Sequence, residues 1–178
     1  MKRTPHFEEG EYHFDDYPEF KPNYSPEEMI RMGVFGGNYF NREIYREMIN
    51  PEVFNVDSSK YALERQNKSV NYFKELAGNS REWWEKRNLI KHEYNTEGWF
   101  QWYCRFYYGR RCADDERETR RWINFRLRHL NMYYDCLERY KSNRIQEALL
   151  DDKTYPKYKQ SILQWAIDPK LYYDHFRL

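Results

Sequence analysis

Between Arg105 and Arg128 the chain interleaves arginines with tyrosines, a pattern suited to a ligand that is both anionic and aromatic. Arg105, Arg110, Arg111, Arg117, Arg121 and Arg128 can neutralise phosphates, and Tyr107 and Tyr108 offer rings on which bases stack. The chemistry implied is that of a nucleic-acid or nucleotide-binding accessory protein. In that reading Arg110, Arg111, Arg117 and Arg121 contact phosphate, Tyr107 and Tyr108 stack, and Asp114 and Asp115 hold the arginines in place or act on a bound metal. The same residues have a plainer use. The aromatics can be core, and the arginines can pair with Asp114, Asp115, Glu116 and Glu118 or stack on rings structurally. A formal net charge of only +1, and no motif of a groove-reading helix or single-strand platform, weigh toward the plainer use.

An enzyme acting on a modified base or nucleotide is the alternative, drawing on His92, Glu93, Asp114 and Asp115. Carboxylates beside arginines can orient a phosphate, hold a metal through oxygen, or serve as general base. The spacing is not diagnostic, because an Asp-Asp pair opening a helix is ordinarily a cap that faces the helix dipole. No P-loop, no GxGxxG and no glycine-rich helical hairpin is present. No metal site and no cofactor are expected: Cys104, Cys112, Cys136, His6, His13, His92, His129 and His175 show no paired ligand spacing, and Cys112 has no evident base partner. A third class is a host-directed protein-interaction factor, since exposed Tyr, Trp and Arg also dominate protein interfaces.

The elements that would position these residues follow from composition and pattern. At 178 residues one domain is the default, and 18 Tyr, 11 Phe and 6 Trp make its core aromatic rather than aliphatic. Buried hydroxyl and indole groups then need hydrogen-bond partners. Charge is unevenly placed: residues 1–28 carry Glu8, Glu9, Glu11, Asp15, Asp16, Glu19, Glu27 and Glu28 against Lys2, Arg3 and Lys21, whereas 98–144 hold ten arginines. An acidic leader can therefore fold over a basic centre, or the centre can meet an anionic partner. Three unpaired cysteines favour a reducing compartment, and no apolar run approaches a membrane span, so no membrane is expected as a partner.

Residues 1–24, broken by Pro5, Pro18 and Pro22, read as an extended acidic N-terminal arm with no assigned fold, and 25–178 as a single helical domain. Ser25-Pro26-Glu27-Glu28 carries a capping box and predicts a helix to Met32. Short helices are expected in 42–56 and 81–89, and a further one from Leu63 to Leu76 with Tyr72, Phe73 and Leu76 inward. Trp99, Trp102, Tyr103, Phe106 and Arg110 keep helical spacing, as do Phe100, Cys104, Tyr107 and Arg111, so this helix is apolar on more than one side and central. Asp114 or Asp115 caps a long helix, Glu118 closing a box on Asp115, with Trp122, Phe125, His129, Met132, Tyr133, Cys136 and Tyr140 as its inner stripe. Thr154-Tyr155-Pro156 opens a last helix. The class is all-α, a compact single-domain helical fold with an aromatic core, and a small hairpin near Gly36 is the one expected exception.

Several of these segments carry a resemblance. Gly33-Val34-Phe35-Gly36-Gly37, the block GWFQWYCRFYYGRR at 98–111 with its following acidic pair, Arg121-Trp122, Ala148-Leu149-Leu150 and LQWAIDP at 163–169 are together similar to a family of small aromatic and arginine-rich proteins in tailed bacteriophages, bacteria and fungi. The resemblance runs from about the first helix to Asp168, although the stretch between Val53 and Arg81 is longer here than in bacterial members. No secure activity attaches to that family. It implies a single domain and favours a role in nucleic-acid metabolism or host takeover; the cytoplasm expected from the unpaired cysteines and the lack of an apolar span is that of the host where the gene is phage-borne.

Overall fold

The computed structural model describes residues 3–176, apart from the side chains of 140–142 and 175–176. The helix expected to be central is so. Helix α4 (Trp99–Tyr107) buries Trp99, Phe100, Gln101, Trp102, Tyr103, Cys104 and Phe106, leaving only Arg105 and Tyr107 partly exposed. Around it, in chain order, lie β1 (His6–Glu8), β2 (Glu11–His13), α1 (Pro26–Arg31), α2 (Glu43–Arg46), α3 (Arg81–Lys86), α5 (Asp115–Lys141), α6 (Ile145–Leu150), α7 (Pro156–Leu163) and α8 (Tyr173–Phe176). Short 3-10 turns occupy Pro51–Phe54, Ser58–Lys60 and Ser142–Arg144. The fold is thus mostly helical around an aromatic core, with one small two-stranded sheet.

That sheet is not at Gly36. β1 and β2 pair antiparallel with His6 opposite His13 and Phe7 opposite Tyr12, closing on Glu9-Gly10, both at positive φ. This is the two-residue primed turn that matches strand twist. At the expected place the glycines serve a close approach instead. A Cβ on Gly37 would stand 2.3 Å from the Ser59 carbonyl oxygen, and the Gly36 and Gly37 carbonyls accept from the backbone N–H groups of Asn67 and Leu63. The stretch 63–76, expected as a helix, is consequently a run of turns wrapped on those glycines. Asn67 accepts from the Ser69 N–H and Lys74 sits at positive φ, both incompatible with a continuing helix.

Helix α1 forms as its residues dictate: Ser25 accepts from the Glu28 N–H, and the Glu28 carboxylate accepts from the Ser25 N–H. Helix α5 runs about 40 Å. Its buried stripe is Trp122, Leu130, Tyr133, Tyr134 and Leu137, which keeps only Tyr133 of the residues expected beyond Trp122. Met132 is exposed, Phe125, His129 and Cys136 are only partly covered, and the Tyr140 side chain lies outside the described residues. The straight heptad-like reading missed the drift of a 3.6-residue period along so long a helix. Helices α6 and α7 fold back against α5.

The core's polar aromatics find partners mainly on the backbone. Trp122 donates to the Trp165 carbonyl, Tyr103 to Tyr24 and Tyr134 to Pro169. The acidic leader contributes two rings to this core, Phe14 and Phe20. Phe20 is fully buried, with Trp102, Tyr103, Phe106 and Trp122 meeting it edge-on at centroid distances of 5.0–5.7 Å. Among the described residues no helix is long and apolar enough to cross a membrane.

Two stability predictions follow from this packing. Phe20→Ala removes a ring from the centre and lowers unfolding free energy by about 3–5 kcal/mol in urea titration; a change near zero would mean the leader is not part of the core. Lys159, fully buried on α7, donates Nζ to the Leu149 and Asp151 carbonyls at 2.9 and 2.7 Å and so caps the end of α6. Burial pulls its pKa down to about 8, so between about pH 8 and 10 the unfolded chain holds a proton at this site that the folded chain has lost. The stability advantage of the wild type over Lys159→Met therefore grows as pH rises through that window. The buried Cys104 and partly buried Cys112 thiols, pushed up by burial, act in the opposite direction but equally in both proteins. A pH-independent difference would contradict the assignment.

Candidate functional site

Five of the six arginines singled out in the sequence fall into two groups, and Arg128 stands apart. Three belong to internal ion pairs. Arg111, 12% exposed, donates Nε and Nη2 to Asp16 at 2.7 and 3.0 Å, Nη1 to the Phe106 and Arg110 carbonyls, and Nη2 again to the Arg3 carbonyl. Its guanidinium lies 3.7 Å from the centroid of the Phe106 ring, and it holds the Asp16 carboxyl below its usual range. The acidic leader thus is fastened to the end of α4 through one side chain. Arg117 and Arg121 share the buried Glu118 at 2.6 and 2.7 Å, Arg117 also grips Asp114, and both reach the Leu89 carbonyl. Burial pushes the Glu118 carboxyl up, against the pull of the two guanidiniums.

Asp115 does not cap by the box expected. It is the first residue of α5, and its carboxylate reaches back to accept from the Trp102 indole at 2.8 Å and from the Cys112 backbone N–H at 2.8 Å. Glu118, expected to close on Asp115, is taken by the arginines. Asp114 and Asp115 are both buried, and among the described residues no group of three or more His, Cys, Asp or Glu side chains is arranged to hold a metal ion. His92 is exposed, 3.8 Å from Glu85. Arg128 stands exposed on α5, about 20 Å along the axis from its first turn, and Tyr107 packs edge-on against Tyr12 and Tyr103.

Arg105 and Arg110 form the second group, and the way α4 ends brings them together. Gly109 adopts φ +93°, its N–H donates to the Phe106 carbonyl, and the Arg110 N–H donates back to the Arg105 carbonyl. This is a Schellman closure, which needs a left-handed residue where the sequence supplies glycine. The chain folds back so that Arg110 lies beside Arg105, and both line an open cleft of about 380 Å³ with Met48, Asn50, Glu93, Tyr94 and Tyr108. Arg105 donates Nη1 to the Tyr94 carbonyl and Nη2 to the Met48 sulfur; Arg110 donates Nη2 to Asn95 Oδ1. Neither forms an ion pair among the described residues, and the buried Nε of each, with Asn95 Nδ2 beside them, has no hydrogen-bond partner there. Burial and the neighbouring Arg110 push the Arg105 guanidinium below its usual pKa. Burial together with Glu52 and Glu27 pushes the Tyr108 hydroxyl up to about 12, so its ring is neutral at physiological pH.

Of the candidate residues the cleft therefore gathers Arg105, Tyr108, Arg110 and Glu93, and does not include Tyr107, Arg111, Arg117, Arg121, Arg128, His92, Asp114 or Asp115. Met48, Asn50 and Tyr94 were not singled out. The signals that point to them are the Asn50-Pro51 turn and the polar His92–Asn95 loop. A second concavity, of about 410 Å³, is lined by Arg117, Arg120 and Arg121, but Glu116 and Glu118 already neutralise these arginines. No family model, no curated protein and no solved structure matches the chain.

The division of the arginines predicts their effects on stability. Arg111→Gln breaks a largely buried charge pair and costs about 3 kcal/mol in urea titration, whereas Arg120→Gln, which breaks a fully solvated pair with Glu116, costs less than about 0.5 kcal/mol. Equal losses would contradict the division.

Proposed function

We propose that this protein binds a nucleic acid or nucleotide-like anion, holding phosphate between Arg105 and Arg110 and setting a base against Tyr108. The observation that carries this reading is the pair of guanidiniums facing one cleft with no ion-pair partner among the described residues. Two half-buried cations side by side repel each other, and an anion between them relieves that repulsion while engaging guanidinium donors in a planar fork. The tyrosine rings supply stacking surface that tolerates any base. A cleft of about 380 Å³ falls in the range that holds a small ligand, and its openness lets a strand continue on either side. The resemblance of the 98–111 block to phage-associated proteins favours the same reading.

Binding to a fluorescently labelled single-stranded oligonucleotide across a salt series tests it. Affinity falls as salt rises, and Arg105→Gln and Arg110→Gln each weaken it by about tenfold, the loss of one charged hydrogen-bonding contact. Arg120→Gln, outside the cleft, leaves it unchanged. No binding at low salt, or an Arg120→Gln effect as large as that of Arg110→Gln, overturns the reading.

A further inference from the structure

The cleft contains a group that a phosphate alone does not require. Glu93 lines it as well; its carboxylate faces the neighbouring Tyr94 hydroxyl and makes no ion pair with either arginine among the described residues. A carboxylate placed there repels phosphate, so the lining carries both signs: cationic at Arg105 and Arg110, anionic at Glu93. The ligand that satisfies both carries an anion and hydrogen-bond donors.

We propose that Glu93 makes this cleft selective for a guanine base; the inference rests on the phosphate-binding reading given above. A carboxylate is acceptor-only and binds best to two parallel donors. Among the common bases only guanine presents two adjacent donors on its pairing edge, N1–H and the N2 amino group. Adenine and cytosine set a donor beside an acceptor, and uracil sets one donor between two acceptors. Asn50, which lines the same cleft, has its Oδ1 engaged by the Glu52 N–H at 2.9 Å, which leaves its amide nitrogen to donate. That donor suits the acceptor atoms O6 and N7 on the other edge of guanine. Two of the polar side chains that line the cleft are thus matched to one base: acceptors at Glu93, donor at Asn50.

Titration calorimetry of the intact protein with GMP, AMP, CMP, UMP and IMP tests this. GMP binds about tenfold tighter than AMP, CMP or UMP. IMP, which keeps N1–H but lacks the N2 amino group, falls between them. Glu93→Gln, at an exposed position whose loss leaves the core intact, replaces one acceptor with a donor and brings the GMP to AMP ratio close to one. Equal binding of all five nucleotides, or a GMP preference that Glu93→Gln leaves in place, overturns the base selection while the arginine pair stands. Absence of binding by every nucleotide, with Arg110→Gln causing no change, overturns both.

Discussion

The carboxylate of Asp115 fixes the geometry on which the rest depends. It is 1% exposed, at the first turn of a 27-residue helix, and it accepts from the Trp102 indole on α4 and the Cys112 backbone on the connection between the helices. A buried charge is tolerated only when such donors surround it, and the positive end of the α5 dipole favours it further. With α4 and α5 locked together at this point, the short connection from Tyr108 to Asp114 has little freedom. Two consecutive arginines within it leave in different directions: Arg110 toward the 93–95 loop, Arg111 toward the leader.

Arginine is used here for two separate purposes. Arg111, Arg117 and Arg121 solve a problem that the aromatic core creates, since rings fill volume but leave the chain segments around them to be joined by polar contacts. Arg111 fastens residues 3–16, and Arg117 and Arg121 hold the 89–90 connection through the Leu89 carbonyl. Each of the three is matched by a buried or half-buried acid. Among the described residues Arg105 and Arg110 have carbonyl, thioether and amide partners and no acid. Charge that the fold does not neutralise internally is what the proposed phosphate site draws on.

Much of the helical framework was legible where local chemistry acts alone. Ser25-Pro26-Glu27-Glu28 specifies the start of α1 through backbone capping, and the all-round apolar pattern of 99–107 marks a buried helix. The failures come from long-range contact. The stretch 63–76 has helix-compatible spacing, but the Gly36 and Gly37 carbonyls accept hydrogen bonds from it and it folds into turns around them. Along α5 the inner stripe rotates away from the residues that a fixed spacing selects, so Leu130, Tyr134 and Leu137 are buried and Met132 is not. At the cleft, Arg105, Tyr108 and Arg110 stood in the pattern of interleaved arginine and tyrosine. That pattern could not tell them from Arg111, because the acid that pairs Arg111 lies 95 residues away in the chain. Met48 and Asn50 reach the cleft from a loop whose position only the tertiary packing sets.

The central claim is that Arg105 and Arg110 are the arginines that a ligand engages, whereas Arg111, Arg117 and Arg121 are committed to the fold. Nitrogen-detected NMR of the arginine Nε–Hε groups, recorded while a mononucleotide is titrated in, reads each guanidinium separately. The account predicts that the Arg105 and Arg110 signals move together with a common affinity and that those of Arg111, Arg117 and Arg121 stay in place. Movement confined to Arg117 and Arg121, or no movement at any of the five, would contradict it.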